Sequence, residues 1–157
     1  MNLLRTRTLW RLIIVTTMLL LPTMGLKLSF PSQVGNGCGC VRPAEHWKEY
    51  LDAWPPDLHY SDFFGSGMSW AQVLDTPRRG GDVYFPLAQA YIVVMLNRYS
   101  NACFPCDDLC TLTGVAEYFF TRPNYSLAMN GWSYYKTVTD TFEIYNDGQR
   151  PEAPTCE

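Results

Sequence analysis

DVYFPLAQAYIVVMLNRY, residues 82–99, decides the fold. Leu87, Tyr91, Val94, Met95 and Arg98 fall on one helical stripe there, and Ala90 and Val93 widen it. Apolar positions at this spacing mark an amphipathic helix, and so broad a face belongs at the centre of a small bundle. Asp82 offers a cap, and Pro86 limits how far upstream the helix is regular.

Upstream, Ser69 with Gln72 three residues on forms a capping box, and Pro77 with Gly80-Gly81 ends that short helix near Thr76. Residues 56–67, with Pro56, Asp57, Gly65 and Gly67, read as a loop. Before them, Pro43 opens a helix that Pro55-Pro56 stops, with Trp47, Tyr50, Leu51 and Trp54 on one face. Downstream, Asp108 is the expected cap of a helix carrying Leu112, Val115, Ala116, Phe119 and Phe120, closed by Pro123. The last helix runs from about Gly131 to Asn146, with Trp132, Tyr135, Val138, Phe142 and Tyr145 inward. Asn146-Asp147-Gly148 is its αL stop. No run alternates with period two. The predicted fold is all-α, a small bundle of four to five short helices stapled by disulfides.

The chain has 157 residues, 47% hydrophobic, 15% aromatic and 17% charged, enough for one core and too apolar for global disorder. Residues 1–25 place Arg5, Arg7 and Arg11 before an apolar run that stops at Pro22, the pattern of a signal peptide cleaved after about Gly25. An uncleaved anchor is the alternative, but the run is about half of what a spanning helix needs. Residues 26–42 read as an irregular leader and 43–157 as one helical domain. Cleavage removes three of the twelve bases and none of the fifteen acids, leaving a net charge of −6. Bulk charge therefore excludes nucleic acid and anionic lipid as partners, and no membrane span is expected after cleavage.

Cys38, Cys40, Cys103, Cys106, Cys110 and Cys156 all follow the signal segment. In an oxidising compartment they imply three disulfides. A Cys38–Cys40 ring would be strained, and excluding it leaves twelve pairings open. The favoured arrangement ties one of Cys38 and Cys40 to Cys156, with one local bridge inside residues 103–110 and one bridge from there back to the other N-terminal cysteine. Zinc on these thiols with His46 and His59 is the rival reading. Its ligand groups are unequal and widely spread, so neither a metal nor any other cofactor is expected.

In order along the chain stand His46-Trp47-Lys48, Ala53-Trp54-Pro55, Gly80-Gly81-Asp82, Leu87-Ala88-Gln89, Leu96-Asn97 and Tyr145-Asn146-Asp147-Gly148 before Cys156. This order resembles a small module of secreted and cell-surface proteins, over residues 40–156. The resemblance implies location and fold and carries over no functional residue. Glu45-His46 stands where members have Gly-Tyr, and Tyr50 where they have a downstream His.

His46 and Glu49, at i and i+3, have the spacing of an acid/base pair, although the polar face of a helix explains them as well. Nucleophile, zinc-protease, phosphate-loop and dinucleotide motifs are absent. No catalytic residue is assigned. Aromatics are the stronger lead: Trp70, Tyr84, Phe85 and Tyr134 are the candidate exposed rings for a sugar or a protein partner. Asn124-Tyr125-Ser126 is a glycosylation sequon in a turn, meaningful in a eukaryotic host. The expected function is a secreted, non-catalytic extracellular module that binds a surface partner or glycan, or contributes to a coat or matrix. A helical carrier of an apolar ligand and a small secreted hydrolase using His46 with Glu49 or Asp52 are the alternatives.

Overall fold

A computed structural model describes residues 38–156; the expected signal peptide and residues 26–37 of the leader lie outside them. The described residues form six α-helices: α1 Ala44–Glu49, α2 Pro56–Tyr60, α3 Trp70–Asp75, α4 Tyr84–Tyr99, α5 Cys106–Thr121 and α6 Pro123–Asn146. A 3₁₀ turn, Leu51–Ala53, follows α1. Among the described residues there is no strand beyond isolated bridges, so the fold is the disulfide-stapled all-α bundle the patterns predict.

α4 is the centre. Every residue from Leu87 to Asn97 is buried, because α1, α3, α5 and α6 all pack against it. Its core is largely aromatic. Phe63, Trp70, Tyr91 and Phe120 meet with ring centroids 4.9–6.3 Å apart, and the Phe119–Tyr135 pair at 4.4 Å extends the cluster to α6. Tilted and edge-on geometries dominate, as the quadrupoles of the rings favour.

Two expected helices change shape, and prolines open the segments that follow. The predicted helix over 43–54 ends at Glu49 and is followed by the 3₁₀ turn, so Tyr50 and Leu51 are exposed instead of inward. Pro55 holds Trp54 extended (φ −75°, ψ 149°), and the Trp54 indole N–H donates to the Trp47 carbonyl at 2.8 Å. Pro56 then occupies the first turn of α2, a helix where a loop was expected. Pro123 acts likewise. It follows α5 but opens α6, which reaches back eight residues before the predicted start and is interrupted at Gly131 (φ 78°, ψ 167°).

Caps agree in part. The capping box of α3 is formed, Gln72 N–H to Ser69 Oγ at 3.2 Å and Ser69 N–H to Gln72 Oε1 at 2.8 Å. The Asp82 carboxylate accepts the Tyr84 amide at 2.9 Å. Asp108 is not a cap: α5 begins at Cys106, and Asp108 within its first turn instead pairs with Arg150 at 2.6 Å. At the end of α6 the Gly148 amide bonds the Tyr145 carbonyl and the Gln149 amide that of Ile144, both at 3.0 Å, a Schellman stop with Gly148 at φ 63°.

Beyond that stop the tail returns to residues 38–42. Val41 bonds Pro154 and Cys156 through its amide and carbonyl, both at 2.9 Å, while Gly39 does the same with Asn101 and Cys103 at 2.8 Å. Cys38–Cys103 and Cys40–Cys156 lock the two sides of this seam, and Cys106–Cys110 staples the first turn of α5.

Candidate functional site

The quoted motif residues converge on a buried polar knot. Asn97, fully buried, accepts the Arg42 amide at 2.8 Å and the Trp47 indole N–H at 3.3 Å. Its amide nitrogen donates to the Arg42 carbonyl at 2.9 Å and to Asn146 Oδ1 at 3.4 Å. Asn146 in turn donates to the Ala90 carbonyl at 2.9 Å. A second knot uses Gln89, which donates to the Val73 and Thr76 carbonyls and accepts Arg78 Nε at 2.9 Å. These side chains bind the fold together, and they are consumed in doing so.

Neither histidine builds an acid/base site. His46 stacks on Tyr50 with centroids 4.7 Å apart, and its Nε2 is buried without a hydrogen-bond partner. Burial and the neighbouring Arg42 hold its pKa below the ordinary value, with Glu49 opposing. His59 packs between Trp54 and Tyr60.

Of the four candidate rings, Trp70 is buried, 8% exposed, because α3 presents it to Phe63 and Tyr91. Tyr84 and Phe85 are half-buried and meet edge-on at 5.5 Å, and Tyr84 leans on Phe119 and Phe120. Tyr134 is exposed, and among the described residues its aromatic neighbour is Tyr135 and none of the other three candidates, so the four do not form one platform. Trp132 reverses expectation in the other direction. Placed inward by its register, it is 49% exposed. It is the first residue after Gly131, whose positive φ re-aims the chain, and a helical side chain leans over the turn before it, so the ring of Trp132 lies against the interruption instead of a packed turn. That glycine was the one sequence signal that could have exposed the error.

Trp132 lines a surface cleft of about 240 Å³ between the start of α4 and the second half of α6. Val83 and Pro86 supply further apolar lining, and Asp82, Arg78, Glu143, Lys136 and Asp140 supply charge. Four of those charges are already matched. Arg78 meets Glu143 at 2.6 Å, and Lys136 meets Asp140 at 2.8 Å. A larger cleft of about 360 Å³ shares the Arg78–Glu143 pair and is walled by Glu45, Lys48 and Asp147. Burial, then Glu143 and Glu45, raise the Asp147 pKa above the ordinary carboxylate value.

Asn124 is exposed on the first turn of α6, not in a turn between helices, while Ser126 of the same sequon is fully buried. Among the described residues, no group of His, Cys, Asp and Glu is arranged to hold a metal ion, and no helix is long and apolar enough to cross a membrane. No family model, no curated protein and no solved structure matches the chain.

Proposed function

We propose that the protein is an exported, disulfide-stapled binding module that engages a glycan or a surface partner outside the cell, without catalysis of its own. The observation that carries this reading is Trp132: a large aromatic ring left half in solvent beside a cleft, on a chain whose other described tryptophans are all buried. Leaving such a ring uncovered forgoes the stabilisation of burying it, and aromatic anchors are the residues most enriched where proteins bind ligands. Export is supported by the signal-like residues 1–25 and by three disulfides, which persist in oxidising compartments. The hydrolase alternative loses support because His46 stacks on Tyr50 instead of hydrogen-bonding a carboxylate. The two described clefts are open and rimmed by charge, unlike the apolar chamber a lipid carrier needs.

In a eukaryotic host Asn124 is a glycan acceptor, added before folding, since the folded chain buries the Ser126 hydroxyl. The test is to express the full chain through a secretory route and confirm by mass the loss of about 25 residues and the absence of free thiols. The oxidised product is then screened on a glycan array and by surface cross-linking. Saturable binding in either screen supports the module; retention in the cytosol with reduced cysteines, or blank screens with oxidised protein, overturns it.

A further inference from the structure

Among the described residues, the larger cleft, the aromatic rings around His46 and His59, and the Trp132 cleft are three places that could offer a ligand something to hold. In the larger cleft Glu45, Glu143 and Asp147 stand among Lys48 and Arg78, so its acids already have basic neighbours. The rings around His46 and His59 pack on one another, and although Tyr50 and Tyr60 are exposed, neither of them lines either cleft. Trp132 keeps a free face.

We infer that the Trp132 cleft is a subsite for one neutral pyranose ring, which deepens the module reading and rests on it. Three features select this chemistry. First, the cleft holds about 240 Å³, the scale of a single sugar ring and below the roughly 300–1,000 Å³ of sites for larger ligands. Second, the electronegative face of an indole attracts the C–H bonds of a pyranose, which neighbouring oxygens make electropositive, and Trp132 is exposed enough to receive them. Third, the rim is polar but self-neutralised. Arg78–Glu143 and Lys136–Asp140 are closed ion pairs, leaving Asp82 as the extra charge.

A strongly anionic ligand meets net negative charge there, and a cation would have to compete with lysine and arginine already in place. Hydroxyl groups need neither. Arg78 is fixed at both ends, Nε on Gln89 at 2.9 Å and Nη1 on Glu143 at 2.6 Å, so its remaining N–H bonds are preorganised donors. Fixed donors and acceptors reduce the ordering cost of binding.

The experiment titrates the oxidised full-chain product with neutral methyl pyranosides and their oligomers, with uronic acids as charged counterparts. Binding is read by saturation-transfer NMR and by tryptophan emission. The expected result is saturable binding of a neutral sugar, weakened about tenfold or more by Trp132→Ala, largely retained in Trp132→Phe, and unchanged in Tyr60→Ala on exposed α2. Thermal melting confirms that each variant is folded. Binding that survives Trp132→Ala, or that favours uronic acids, overturns the site while leaving the module reading intact. No response to any neutral sugar overturns it as well, and a cross-linked surface protein from the companion screen would then carry the module reading alone.

Discussion

Asn97 sits where the N-terminal segment, the middle of the bundle and the end of α6 meet, and its carboxamide answers four groups at once. Asn97→Ala strands the Trp47 indole N–H and the Arg42 amide in a buried site. Each such group costs about 1–3 kcal/mol, so the variant should lose about 3 kcal/mol or more, a Tm fall of about 10 °C in thermal melts. His46 sets a pH dependence. Its folded pKa lies below the ordinary value of 6.5, chiefly through burial, so the unfolded chain takes up the proton first. The stability tied to the neutral ring is complete above that value and is lost as pH falls through the folded pKa. Denaturant melts from pH 7.5 to 5 should show this decline, and His46→Gln should flatten it. At this scale the sequence was legible for the capping box of α3 and for Trp47 and Trp54 as core. It was silent on Asn97 as hub, since a polar residue in an apolar stripe carries no mark of the partners it will find fifty residues away.

Prolines and Gly131 explain the differences at the level of elements. Pro55-Pro56 and Pro123 read as terminators in the sequence because proline cannot continue a helix, yet Pro56 and Pro123 each also open one, where the missing N–H costs nothing. Periodicity identified α4, α5 and the second half of α6, whose inward faces are continuous runs of apolar residues, while the capping box marked α3. It failed for Tyr50, where the α-helix has already ended, and for Trp132, which opens the second half of α6 just past the interruption. Gly131 occupies a conformation open almost only to glycine, while nothing crowds the space a Cβ would fill. Gly131→Ala should therefore act through backbone strain alone, costing about 1–3 kcal/mol. It should also move Trp132, seen as a change in acrylamide quenching of tryptophan emission. Unaltered stability and quenching would contradict this account of the interruption.

Across the whole molecule, the bridges differ in what they constrain. Cys40–Cys156 closes a separation of 116 residues and Cys106–Cys110 one of 4. On the chain-entropy account the first is worth about 5 kcal/mol and the second about 2 kcal/mol. Cys40→Ala/Cys156→Ala should thus lower Tm far more than Cys106→Ala/Cys110→Ala, and equal losses would show that local strain outweighs the entropy of the unfolded chain. The all-α class, the six paired cysteines and the acidic balance follow from the sequence alone, because periodicity, thiol count and charge are properties of the chain read in order. Which rings face water, how Asn97, Asn146 and Gln89 tie distant segments, and the cleft at Trp132 were decided only on folding. Those outcomes depend on which neighbours arrive from elsewhere in the chain, and burial is a property of those neighbours.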